Sequence, residues 1–151
     1  VVRLVGSEMC IRDRLKNGYS IVKLKKVRTG HFICKVLVNE INGKFILDTG
    51  ASHTCIGLEY EKYFCLLSES SDELAASASD ENIKTKQSSE NFFEIGSIKK
   101  KQNFVLISLQ TVNSALSKQK VKPVHGIIGS DFLEKTKAVI DYEKKILFLK
   151  L

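Results

Sequence analysis

The residues best placed to do chemistry are Asp48, Thr49 and Gly50, which end the apolar run Phe45-Ile46-Leu47. An apolar run that stops in a polar triplet with glycine is a strand delivering a side chain to a site. The carboxylate delivered there can act as a general acid or base on water. Rival groups are few. His31, His53 and His125 are far from any metal-ligand spacing, and Cys10, Cys34, Cys55 and Cys65 form no Cys-x-x-Cys pair. Neither zinc nor a disulfide framework is expected. Cys34 and Cys55 sit in apolar stretches and read as buried free thiols. That favours a reducing compartment, the cytoplasm. Asp131 sits where a helix N-terminus wants an acidic residue, and Asp141 reads as strand-end surface.

The elements that must position Asp48 read mainly as strands. Ser20 to Val27 alternates apolar and basic residues. His31 to Val38 places Phe32, Cys34, Val36 and Val38 on one face. Residues 39–44 read as a turn, with Asn42-Gly43 as the hairpin signal because both residues tolerate positive φ. Gly57 to Leu67 reads as a short helix or an irregular packed segment. Ser68 to Glu90 is rich in Ser, Asp, Glu and Ala and reads as a mobile excursion built as an extended hairpin. Strands resume at Phe92 to Ile98 and Asn103 to Leu109, and Gln110 to Lys122 reads as a polar loop. Ser130 to Lys135 reads as a short helix. Ala138 to Tyr142 and Ile146 to Leu149 read as a closing hairpin.

A second motif gives the triplet its context. Gly126-Ile127-Ile128-Gly129-Ser130-Asp131-Phe132-Leu133 lies about 80 residues beyond Asp48 and carries two apolar residues and a glycine before a short helix. With Phe45-Ile46-Leu47-Asp48-Thr49-Gly50-Ala51-Ser52, it resembles the paired signature of the retropepsin-like (clan AA) single-domain aspartic peptidases, over roughly residues 20–151.

The resemblance implies an all-β fold, mainly β with one or two short helices: a closed β-barrel acid protease lobe that is active as a two-fold dimer. It implies an aspartic endopeptidase that uses no cofactor and no metal, with a polypeptide substrate. Two carboxylates held close together share one proton, so one can activate water while the other protonates the carbonyl oxygen. Only one Asp-Thr-Gly occurs in the chain, so the second carboxylate must come from a second copy across a two-fold axis. Asp48 is the catalytic residue on this reading. Thr49 braces the partner's loop, and Gly50 leaves room for the two backbones and offers its N–H to a carboxylate oxygen. Ala51 stands where the two-lobed pepsins carry a serine, which predicts activity nearer neutral pH. Ile127, Ile128 and Gly129 form the strand crossing beneath the active-site loop. His53 and His125 flank the motifs without a catalytic part. A flap is implied within Ala75 to Ser89, although this stretch lacks the glycines usual in such flaps. The alternative is a catalytically inactive module of the same fold that dimerises or binds peptides.

Composition bounds the rest. With 151 residues, 43% of them hydrophobic, the chain can bury one core but not two. No apolar run approaches the length of a membrane-spanning helix. The net charge is +7. Its clusters (Lys23, Lys25, Lys26 and Arg28; Lys99 to Lys101; Lys118, Lys120 and Lys122) lack the interleaved aromatics of a base-stacking platform. They read as solvated edges that guard against sheet-to-sheet pairing, with no nucleic-acid or membrane partner. Residues 1–14 resemble translated sequencing-adapter text. They are set aside as non-native and disordered, with a single domain at 15–151 and the native start left open.

Overall fold

The run Phe45-Ile46-Leu47 is apolar without alternation because its strand is covered on both sides. In a computed structural model that describes residues 7–71 and 84–151, β4 (Ile41–Leu47) turns Phe45 and Leu47 into the main core. Ile46 faces the opposite way, into a smaller core with Leu116 and Val124. β4 pairs antiparallel with β3 (Phe32–Val38) and parallel with β9 (Gly126–Ile128). Beyond β9 lie β5 (Cys55–Gly57), β8 (Ile98–Ile107) and β7 (Lys86–Ile95), and β7 returns to pair with β3. These six strands close a β-barrel. Two short strands extend the sheet: β2 (Lys25–Lys26) beyond β3, and β6 (Glu69–Ser70) beyond β7. A second sheet places β11 (Ile146–Leu149) between β1 (Ser20–Lys23) and β10 (Val139–Asp141).

The barrel interior is aromatic. Phe45 lies 5.4 Å from Phe93 between ring centroids, and Phe93 lies 5.2 Å from Phe104 and 5.0 Å from Phe132. All four rings are fully buried, and the edge-to-face pairs of Phe93 with Phe104 and Phe132 add to simple burial. The face read from sequence on β3 is the buried one: Phe32, Cys34, Val36 and Val38 all point inward. Cys34 and Cys55 are buried free thiols, and burial pushes Cys34 up to about 12.

The mainly-β fold expected from the sequence is the fold observed, with local differences. The strands expected at Phe92 to Ile98 and Asn103 to Leu109 are longer and meet sooner: β7 ends at Ile95 and β8 already starts at Ile98, after a turn at Gly96-Ser97. The β3–β4 turn falls at Asn39-Glu40, both at positive φ, rather than at Asn42-Gly43. Tertiary contacts override the local turn preference. The Asn39 side chain bonds to Phe64 O, Asn91 Oδ1 and Phe92 N. Gly43 lies inside β4, where a Cβ would meet the Phe64 ring at 3.0 Å. The segment read as a polar loop from Gln110 contains helix α2 (Gln110–Lys118). Val112 and Leu116, one turn apart, pack beside Ile46 and Val124, and the Glu59 carboxylate accepts the Leu109 N–H at the helix start. Gly57 to Leu67 begins on the last residue of β5, followed by a 3₁₀ turn over Leu58–Tyr60.

Helix α1 (Ser7–Lys16) runs across the boundary drawn at residue 14, and the Arg14 guanidinium lies 5.8 Å from the centre of the Tyr19 ring and 5.1 Å from that of Phe148. The expected flap falls largely outside the described residues. Its last part, Lys86 to Ser89, lies in β7. No helix among the described residues is long and apolar enough to cross a membrane.

β9 can sit between β4 and β5 only because Gly126 has no side chain. A Cβ there would lie 2.4 Å from Cys55 O and 2.5 Å from the Phe45 ring. Gly126→Ala is therefore expected to cost about 3 kcal/mol of stability, read as a lower urea midpoint with an unchanged slope.

Candidate active site

Asp48 follows the last residue of β4, and its N–H donates to Ile128 O at 3.0 Å, which ties the loop to β9. The next residues fold back. Gly50 N–H donates to Asp48 Oδ1 at 2.9 Å, and Ala51 N–H donates to Asp48 O at 3.2 Å. The triplet is thus a tight turn that presents its carboxylate outward. Asp48, Thr49 and Gly50 are all exposed. The strand read from the second motif is adjacent. Ile127 pairs with Ile46 of β4 and with Cys55 of β5, and Ile128 pairs with Leu47. Ser130 N–H, at the start of α3 (Ser130–Lys135), donates to Ala51 O at 2.7 Å. At Gly129 a Cβ would lie 2.6 Å from His53 O and 2.8 Å from Ala51 O. The two motifs therefore meet through backbone, at a place where only glycine fits.

A polar network that sequence reasoning missed fixes the far side of this loop. Gly129 N–H donates to Thr54 Oγ1 at 3.1 Å, and the Thr54 hydroxyl donates to Asp131 Oδ1 at 2.6 Å. Gln102 Nε2 donates to Asp131 Oδ2 at 2.9 Å, and Lys135 Nζ donates to Gln102 Oε1 at 3.3 Å. Thr54 is fully buried and Gln102 is nearly so. Asp131 does lie in the first turn of α3, as its helix-terminal reading requires, and it also accepts Phe132 N–H. The only sequence signal for the network was an acidic residue in the second motif. Its partners lie 77 and 29 positions away. Asp141 accepts Lys144 N–H and holds the turn into β11. Next to the loop, Cys55 is pushed up to about 11 by burial and then by the negative charges of Asp131 and Asp48, so its thiol stays protonated and unreactive.

His125, just before β9, is structural. Its Nδ1 accepts Lys44 N–H at 3.0 Å, and its own N–H donates to Lys44 O at 2.8 Å. The ring stacks on Tyr63 at 5.3 Å and meets Tyr60 edge-on at 4.7 Å. His53 is exposed, with its Nδ1 3.0 Å from Ser52 Oγ.

A closed barrel with an exposed aspartate loop braced by a glycine-framed strand is the retropepsin-like acid protease fold. The chain belongs to the aspartyl protease family, whose model matches residues 34–132. Among solved structures it is similar to a retropepsin-like aspartic protease from Rickettsia conorii, with 24% identity over 87% of this chain and 90% of that one and a TM-score of 0.56. It is also similar to the retroviral protease-like domain of Ddi1 from Leishmania major, with 12% identity over 78% of this chain and 86% of that one and a TM-score of 0.56. The EIAV protease complexed with the inhibitor HBY-793 aligns at 16% identity over 72% of this chain and 90% of that one, with a TM-score of 0.52. A comparison with curated proteins finds no match.

Two predictions follow from this geometry. Asp131→Ala strands the Thr54 hydroxyl and the Gln102 amide and is expected to cost about 2–3 kcal/mol, measured by chemical denaturation. His125 is held below its ordinary value of 6.5 by burial and then by the Lys44 charge. Its folded state thus takes up a proton at lower pH than its unfolded state does. The stability of the neutral ring is complete above the unfolded value and is lost as pH falls through the folded one. The urea midpoint should drop as pH is lowered below the ordinary value of 6.5. His125→Asn, whose amide oxygen can take the place of Nδ1 and accept the same N–H without titrating, should flatten that drop.

Proposed function

We propose that this protein is an aspartic endopeptidase whose catalytic unit is a homodimer. Water is activated between the Asp48 carboxylates of two copies. One ionised carboxylate takes a proton from water as it attacks the peptide carbonyl, and the protonated partner donates to the carbonyl oxygen. A proton then passes to the leaving amine. The pair titrates as a unit, so neither aspartate acts alone.

The observation that carries this reading is the exposed Asp48 carboxylate at the end of β4, held by Gly50 N–H in a chain with a single Asp-Thr-Gly. An outward-facing half-site needs a second copy to complete it. On this reading Thr49, also exposed, braces the partner's loop. Ala51, Ile127, Ile128 and Gly129 support the loop from behind. The substrate is a polypeptide.

In the full chain, Asp48→Asn should lower peptide hydrolysis by about 10³-fold or more, and pepstatin should inhibit the wild type. Sedimentation should show a dimer whose dilution lowers specific activity. Unchanged hydrolysis in the Asn variant, or full activity in a strict monomer, would sink the mechanism. An intact dimer without hydrolysis would leave the inactive module as the better reading.

A further inference from the structure

A groove of about 1040 Å³ lies beside the loop's supporting strands, and every charged residue lining it is a lysine or an arginine. One wall is the run from Ile21 to Arg28, which carries Lys23, Lys25 and Lys26. The lining also includes Lys120 and Lys122, after α2, and Lys35 and Lys44, which stand side by side on β3 and β4. None of these cations is within ion-pair distance of a carboxylate among the described residues. The apolar part of the lining includes Leu24, Ile33 and Val121.

We infer that this groove is an exosite for an acidic, extended stretch of the polypeptide substrate, a proposal that rests on the peptidase reading. Three observations choose a peptide over other anions. The wall strands are sheet edges: β1 pairs only with β11, and β2 only with β3. An edge has free backbone groups that an added extended strand can satisfy, which nucleic acid cannot do. The lining holds a single arginine among seven lysines and no aromatic residue, so it offers little forked phosphate binding and no base-stacking platform. Edge-to-edge pairing of two copies would set Lys23, Lys25 and Lys26 against like charges, which disfavours a second copy as the occupant.

The groove is connected to the site. Ile33 and Val121 pack against the small core of Ile46, Leu116 and Val124. Lys44, Ile46 and Asp48 alternate along one face of β4 and its end. Four residues of extended chain span about 13 Å. The acidic stretch therefore lies roughly four or more residues from the scissile bond, once on each side in a two-fold dimer.

The test uses the full chain and two fluorogenic peptides that share one cleavable core, with a glutamate-rich or a serine-rich flank. The acidic flank should raise kcat/KM by about tenfold, mostly through KM, and half-molar salt should erase the gain. The ratio of the two substrates should fall to about one in Lys120→Glu/Lys122→Glu, and also in the milder Lys120→Gln/Lys122→Gln should the first fail to fold. An acidic preference that is absent, or unchanged in folded variants, would overturn the exosite. A labelled glutamate-rich peptide is titrated in parallel onto the Asp48→Asn chain and read by fluorescence anisotropy. Binding there that charge reversal removes supports the groove even where the wild type hydrolyses nothing, so a failure of the peptidase reading is distinguished from a failure of the exosite. Tighter binding of a single-stranded oligonucleotide, or of phosphatidylserine vesicles, than of the acidic peptide would overturn the choice of occupant.

Discussion

The structure depends on one insertion: a three-residue strand, Gly126–Ile128, held between β4 and β5, parallel to the first and antiparallel to the second. A strand buried this tightly has no room for side chains at its ends, and both flanking glycines lie against backbone oxygen atoms. Its hydrogen bonds run to the site itself. The Ile128 carbonyl accepts from Asp48, and the residue after Gly129 donates to Ala51. The loop that presents the carboxylate is therefore held by backbone bonds, which do not depend on side-chain rotamers. Such bonds hold an exposed carboxylate in place where no side-chain packing does.

Around that insertion the molecule separates two tasks by strand face. The inward face of β4 carries Phe45 into an aromatic core that stabilises the barrel. The outward face carries Ile46 into a second core shared with α2 and the segment before β9. Asn113 fixes that segment by a reciprocal pair of bonds with the Val124 backbone, at 3.1 and 2.8 Å. The loop is thus supported from the barrel interior and from an outer buttress, and the Asp131 network closes the third side.

Much of this was legible in the residues. The buried face of β3, the strand that ends at Asp48 and the glycine-framed second strand follow from local pattern, because period-two alternation and glycine placement are local signals. What failed to show depends on distant partners. α2 is mostly polar, and only Val112 and Leu116 mark its buried side. The turn at Asn39 is chosen by contacts with residues 64, 91 and 92, which no local rule contains. Thr54 and Gln102 gain meaning only when folding brings them to Asp131. Likewise, the lysines near residues 25 and 121 look scattered along the chain, and the fold gathers them into one groove.

The alternation along β4 has a consequence for how the protein can vary. Lys44, Ile46 and Asp48 share a face because each lies two positions from the next. Inserting or deleting one residue between Lys44 and Asp48 would turn Ile46 into the barrel and Phe45 out of it, since a one-residue slip exchanges the faces of a strand. Change within this stretch is therefore confined to substitution at fixed length. The segment acts as a ruler: its length decides which side chains reach each core and where Asp48 emerges.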